Sequence, residues 1–600
     1  MKKQWLFIIL LGIYFTSCKQ TLDEVDKTTS STRLSAATTL TGTTYYVKPS
    51  GNDAYDGKSA ATAWKTIERV NFATDANGNK VAQLYNPGDQ ILFEGGGTFP
   101  TTDGILIYNS SGTASNPIKI SSYGTGKATI SATKSGIYVK NQGYIWVDNL
   151  IIKSFWKYDT QSGNGQGFCG VAFNNFLPNR TQLGMGKVTN CDIYGFHTAG
   201  IAFLSDPKNT SGEADHSHSG YKDIIIEDNF VHDNGDYGIY VLGQKPQQPS
   251  ELNYAFENVQ INRNRVEGNL GLTDKTWSSS GNGILISDAG SGLIEKNVIY
   301  NNGWNNRCVD VGPAGLWCYD SKNLTFQFNE AYLNGTSAGT KDGHGMDLDG
   351  GVVNCIMQYN YTHDNYTAGY LVWEYGNERA HNKDNVIRYN VSVNDNTQNV
   401  AIGSIFIGGY DANDDIENLK VYNNTIYSPR QSCLSLEAGG ARNGIYFYNN
   451  IFYATGQNAD IVLIKTPQCW LFNNDYYNPT GFKINFNNTS YTSLATFRNN
   501  TANEKFNSVN YGSVANPLLA NAPAISQTPS PYTVTAPTIA STTNGPNGLQ
   551  KYSVLTSTST MINNAYDLRN WSNSVGNRDF TGVTIPYNGA FDIGACEYRP

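Results

Sequence analysis

A short pattern, apolar-x-x-Asn, returns along the middle of the chain at Asn229, Asn264, Asn297, Asn329, Asn360 and Asn390, and more loosely at Asn424, Asn450 and Asn474. The steps are 35, 33, 32, 31, 30, 34, 26 and 24 residues, and weaker copies stand upstream at Asn149 and Asn190. Between the asparagines lie only short apolar runs and Gly/Asn turns. Helical repeats of this length would need amphipathic stretches of ten or more residues, which are missing. A propeller blade would need about 40 residues and four strands. The period instead fits one turn of an all-β solenoid, a β-helix with about three strands per coil. Stacked asparagines suit its turns because they tolerate left-handed backbone and can bond to the next coil.

The flanks fit this reading. Residues 44–76 give a strand at 45–48, a Gly/Asn/Asp turn and an amphipathic helix near 64–72, with Trp64, Ile67, Val70 and Phe72 on one face. Pro87-Gly88-Asp89 then precedes a strand at 90–93. This opening resembles that of right-handed parallel β-helix proteins of the pectin-lyase-like group, which implies that the helix plugs the open end of the solenoid. An uncapped end would expose core and unpaired strand edges. Beyond Asn500 the repeat fades, residues 521–543 read as a surface loop, and residues 578–598 resemble the closing segment of bacterial β-helix carbohydrate enzymes. The expected layout is a signal at 1–17, a tether at 18–43, the solenoid with its N-terminal cap at 44–500 and a C-terminal cap at 501–600.

Lys2, Lys3 and the apolar run 5–14, followed by Phe15-Thr16-Ser17-Cys18, resemble a bacterial lipoprotein signal. That resemblance implies lipidation of Cys18 and an exported monomer tethered to the outer membrane, on its periplasmic side or at the cell surface, touching the membrane only through the anchor. Only 15% of the 600 residues are charged and the net charge is −8. A nucleic-acid partner is therefore excluded, because phosphate binding needs basic surface. The remaining eight cysteines have no zinc-site spacing and read as buried small hydrophobes, with Cys308 to Cys318 the candidate disulfide.

Four runs opened by glycine end in acids: GILISD to Asp288, GLWCYD to Asp320, GMDLD to Asp349 and GYLVWE to Glu374, with CLSLE to Glu437 further on. On stacked coils these acids form a carboxylate column, whose repulsion calls for a cation, an Arg or Lys, or a shared proton. The third run reaches its acid one residue early, and a slip of one exchanges core and groove faces. With Met346 and Leu348 inside, Asp347 and Asp349 both face out. Asp349 and Glu374 on neighbouring strands would stand about 4.8 Å apart, near the roughly 5–5.5 Å of a retaining glycosidase pair.

GMDLDGG and YLVWEYGN resemble strings of glycoside hydrolase family 120, β-helix enzymes with nucleophile and acid/base on adjacent coils. That implies Asp349 as nucleophile and Glu374 as acid/base, with Asp347 the residue placed to displace one of them. The leading expectation is a retaining glycosidase acting on a plant or algal polysaccharide or its oligosaccharides, with no required cofactor. Its substrate contacts would come from Asp288, Asp320, His344, His381, Trp317, Tyr319, Tyr370 and Trp373, although strand parity favours the core for Trp373. The first alternative is a polysaccharide lyase in which the acids bind Ca²⁺ and Lys341, Arg379 or Lys383 is the base; Asp342-Gly343 and Asp347 partly echo the acidic cluster of family 9 pectate lyases. The second is a solenoid that binds glycans without cleaving them. His232 and His363 read as structural turn residues, and residues 215–218 as a solvated loop.

Overall fold

The computed structural model describes residues 40–155, 168–247, 253–376, 379–398, 400–457, 459–520, 554–570 and 575–600. The signal, Cys18, most of the tether and the 521–543 loop lie outside the described residues. From Thr44 onward the chain winds through three long sheets of 15, 13 and 14 strands, and each coil gives one strand to each. Pairing between successive coils is parallel and in register; Ile294, Phe326, Met357, Ile387 and Val421 occupy one level on consecutive coils and are fully buried. The fold is a parallel β-helix.

The asparagines form the ladder that the period implies. Asn264 Nδ2 donates to Asn297 Oδ1 at 3.0 Å, and Asn297, Asn329, Asn360, Asn390, Asn424 and Asn450 each donate onward at 2.9–3.1 Å. Each also accepts a backbone N–H from the coil before, as Asn360 does from Asn329 at 3.0 Å. The left-handed residue is the one before each asparagine, including Arg263, Phe328 and Tyr389. At Asn424, Asn450 and Asn474 that preceding residue is itself an asparagine, whereas on the coils of Arg263, Phe328 and Tyr389 the ladder bonds hold the bend. A second ladder runs through Asn234, Asn269, Asn302, Asn334 and Asn365 to Asp395, at 2.8–3.1 Å. The glycines that open the acid-bearing runs sit against it: a Cβ on Gly345 would lie 2.7 Å from Asn365 Nδ2.

The N-terminal helix is shorter than expected, spanning Ile67–Asn71. Asp53 takes the N–H groups of Lys65 and Thr66 and the Thr66 hydroxyl, which fixes Thr66 as the N-cap. Trp64 is left in a bridge to Val47, and Phe72 starts a strand. Asn71 bonds the edge strand Ile105–Ile107 and its approach, donating to Gly104 O and accepting from Leu106 N–H. At the other end, helix Leu494–Thr501 buries Leu494 and Phe497 beside Phe486 and Tyr491. Residues 592–595 bond to Asn423, Thr425 and Asn449. The expected Cys308–Cys318 disulfide is absent: both thiols are buried and unbridged, and Cys318 faces the core beside Cys355.

Candidate active site

Strands Asn282–Ser287, Ala314–Tyr319, His344–Leu348, Tyr370–Glu374 and Ile405–Gly409 are consecutive in the 14-stranded sheet. Leu316, Met346, Tyr370 and Ile405 form one inward row, and Cys318, Leu348, Val372 and Ile407 the next; all are fully buried. The residues between them point outward. One outward row reads Leu285, Trp317, Asp347, Leu371, Phe406. Two residues along, the second reads Tyr319, Asp349, Trp373, Gly408, since Leu348 pairs with Val372 and Trp373 with Gly408. Asp347 and Asp349 thus share a face between aromatic side chains on neighbouring coils.

Asp347 is 5% exposed, and burial, followed by the charges of Asp349 and Asp342, holds its carboxyl well above the usual range. Its Oδ1 is buried with no protein partner. Asp349 is less buried. Asp342 accepts from Gly312 N–H at 2.6 Å and meets His344 Nε2 at 3.0 Å. The hydroxyl of Thr367 donates to Asp342 O, so it can only accept from His344 Nδ1 at 2.8 Å. His344 Nδ1 therefore carries hydrogen. His344 orients Asp342 and is itself buried.

Tyr410, just past Ile405–Gly409, completes the site. Its ring meets Trp373 edge-on at 5.2 Å and lies 5.4 Å from Lys341 Nζ. Burial, then the charges of Asp342, Asp349, Asp347 and Asp310, push its hydroxyl up to about 12. Neither Asp342 as an anchored member nor Tyr410 follows from the repeat pattern, because both lie on turns. Trp317 is held by its indole N–H to Asn282 Oδ1 at 2.9 Å and packs near Tyr319. Trp373 faces out instead of into the core, with its indole N–H buried and unpartnered.

Other expected members lie elsewhere. Glu374 stands one residue beyond the level of Asp349 and is 1% exposed. Its carboxyl accepts N–H groups from Asn382 (2.6 Å), Tyr375 (3.1 Å) and Gly351 (3.4 Å), and burial pushes it up to about 8. The Asp349–Glu374 pair implied by the family 120 resemblance therefore does not share a face. Asp288 and Asp320 follow the paired Ser287 and Tyr319 in left-handed turns that tuck them under the sheet. Asp288 meets His218 Nδ1 at 2.6 Å and Arg379 Nη2 at 3.0 Å; Asp320 meets Arg379 Nη1 at 3.5 Å. Arg379, over the Tyr254 ring, is thus the counter-charge that the column demanded, and both acids are buried. His218 belongs to this buried cluster, whereas His216 is exposed. Tyr370 points into the core and donates to Asn360 O and Val391 O.

His381 is exposed, and Lys383 pairs with Glu417 at 2.9 Å, which leaves Lys341 as the lysine beside the acids. His232 and His363 stack on aromatic rings and pair with Asp192 and Asp233, and with Glu330 and Asp364. Among the described residues, no group of three or more His, Cys, Asp or Glu side chains is arranged to hold a metal ion.

No protein-family model matches the chain. It is 26% identical over 504 residues to a lacto-N-biosidase of Bifidobacterium longum, an alignment covering 70% of this chain and 29% of that protein. The chain thus spans less than a third of the length of this curated relative. A GH136 lacto-N-biosidase from Eubacterium ramulus is similar in structure with a TM-score of 0.48 and 22% identity, over 64% of each chain. Pectate lyase Pel9A gives a TM-score of 0.40 and 13% identity over 93% of this chain and 96% of its own.

Proposed function

We propose that the protein is a glycoside hydrolase that releases a lacto-N-biose-type disaccharide from the end of a larger glycan. The observation that carries this reading is the outward pair Asp347 and Asp349, set between Trp317 and Trp373, in a chain whose sequence relative is a lacto-N-biosidase. That relative replaces the expectation of a plant or algal polysaccharide. Export and lipid anchoring through Cys18 belong to the same proposal and would give the enzyme access to external glycans.

In this reading Asp347 is the general acid, because burial and two neighbouring acids favour its protonated form. Asp349 is the nucleophile. Asp347 protonates the leaving glycosidic oxygen as Asp349 attacks the anomeric carbon, giving a glycosyl ester. Asp347, now ionised, takes a proton from water, which displaces the sugar from Asp349 and completes retention. Tyr410 and the His344-held Asp342 line the same space, and the aromatic faces receive the apolar faces of the sugars. No metal enters these steps.

The test is hydrolysis of a chromogenic β-lacto-N-bioside, with the anomer of the first product read by NMR. Asp347→Asn is expected to lose about 100-fold or more on natural glycans, and much less on a substrate with an acidic leaving group. An inverted product would remove the nucleophile role of Asp349. The lyase reading retains Lys341 beside Tyr410 and the acids. A chelator-sensitive rise in absorbance near 235 nm on uronate polymers would favour it, because elimination alone creates the unsaturated product.

A further inference from the structure

About four strands beyond Asp347, roughly 19 Å along the solenoid at about 4.8 Å per strand, a second feature has the chemistry of a sugar site. A cavity of about 440 Å³ opens where the last coils meet helix Leu494–Thr501. That volume lies in the usual range for small-ligand sites, about 300–1,000 Å³. Trp470, Gln468, Asn443, Asn487, Thr489 and Asn500 line it. Trp470 is 57% exposed on the outer face of the 15-stranded sheet, level with Tyr446 on the preceding coil.

The lining is specific in character. Asn443, Asn487, Asn500 and Gln468 are all exposed, and the first three make no side-chain hydrogen bond within the described residues. Amides both donate and accept, which matches sugar hydroxyls and N-acetyl groups. The Trp470 face is electron-rich and receives the polarised C–H groups of a pyranose. Arg442 is the one charged residue in the lining; it is 1% exposed and its Nη1 is spent on Asp414 O. The site therefore has no exposed charge with which to select an anion.

We infer that this cavity is a second, non-catalytic binding site for a neutral oligosaccharide, with Trp470 as its stacking platform. It would hold the enzyme on a large glycan while the acids at Asp347 and Asp349 cut elsewhere. The inference rests on the cavity's own lining and stands whether or not the hydrolase reading does.

The test is calorimetric titration of the full chain carrying Asp349→Asn with neutral oligosaccharides of galactose and N-acetylhexosamine, two to six units long. Two classes of site are expected. Adding Trp470→Ala should abolish one and leave the other, and adding Gln468→Ala should weaken the same class. In the otherwise native chain, Trp470→Ala should leave hydrolysis of a small chromogenic glycoside within about twofold. No binding at all, or Trp470→Ala that leaves every class of site intact, would overturn the inference. If the hydrolase reading fails and a single class of site is found that Trp470→Ala abolishes, this inference survives alone.

Discussion

Trp373 is the residue level with Asp349 on the next coil, and Glu374 falls one position further, level with Gly350. This one-residue offset separates two kinds of acid. Those on the outward rows, Asp347 and Asp349, meet the aromatic slot. Those at the turn, Asp288, Asp320 and Glu374, are taken up by Arg379 or by backbone N–H groups.

Glu374 should govern stability with a defined pH signature. Its folded carboxyl titrates at about 8 against 4.5 when free, so the folded state binds the proton more tightly. The contribution is fully present below about pH 4.5 and is lost as pH rises through about 8. Glu374→Gln should therefore lose less unfolding free energy, and less Tm, between pH 5 and 8 than the parent chain, the free-energy difference being on the order of a few kcal/mol. Parallel melting curves for parent and variant would refute this. The comparison cancels other raised groups, such as Asp475 and Glu597.

The asparagine ladder sets the second prediction. Asn360→Ala strands the buried Asn329 N–H and one hydrogen of the Asn329 amide, whose other hydrogen stays on Ile294 O, and takes a donor from Phe326 O. The cost should be about 3 kcal/mol or more in denaturant unfolding, since each unpaired buried group costs about 1–3 kcal/mol. Asn360→Asp keeps the acceptor for Asn329 but sets its other oxygen against Phe326 O and Asn390 Oδ1, both acceptors, so it should also destabilise at neutral pH, and less at low pH where the carboxyl is protonated. An Asn360→Ala variant as stable as the parent would contradict the bonding scheme.

Gly408 makes the slot for Trp373. A Cβ there would lie 2.5 Å from the indole Cζ3 and 3.1 Å from the Glu437 Cβ. Gly408→Val should tilt the ring and raise KM about tenfold while leaving kcat within about threefold, the pattern of lost uniform binding. Steady-state kinetics with an unchanged KM would remove Trp373 from the binding surface.

The sequence carried the solenoid because its period is a bonding requirement: each Asn from Asn229 to Asn474 must meet its neighbour. The second ladder repeats with the same steps and carries the same cue, with Val231, Val266, Ile299 and Ala331 three residues before Asn234, Asn269, Asn302 and Asn334; the cue stops at Thr362 before Asn365, and the ladder ends in Asp395. Aligning the acid-bearing runs on Gly283, Gly315, Gly345 and Gly369 reproduces the observed register. What that alignment could not resolve is which way the residue after each strand turns. Left-handed φ at Asp288 and Asp320, and the N–H groups around Glu374, are set by tertiary contacts with Arg379 and Asn382. Arg379 and Tyr410 reach the acids from turns, outside any repeat.

The most direct test of the central claim compares Asp349→Asn with Glu374→Gln in kcat/KM on a chromogenic β-lacto-N-bioside at pH 6, with folding verified by circular dichroism. The account predicts a loss of about 1,000-fold or more for Asp349→Asn and less than about tenfold for Glu374→Gln. A folded Asp349→Asn that keeps its activity, or a folded Glu374→Gln that loses it, would contradict the assignment of the chemistry to the outward pair.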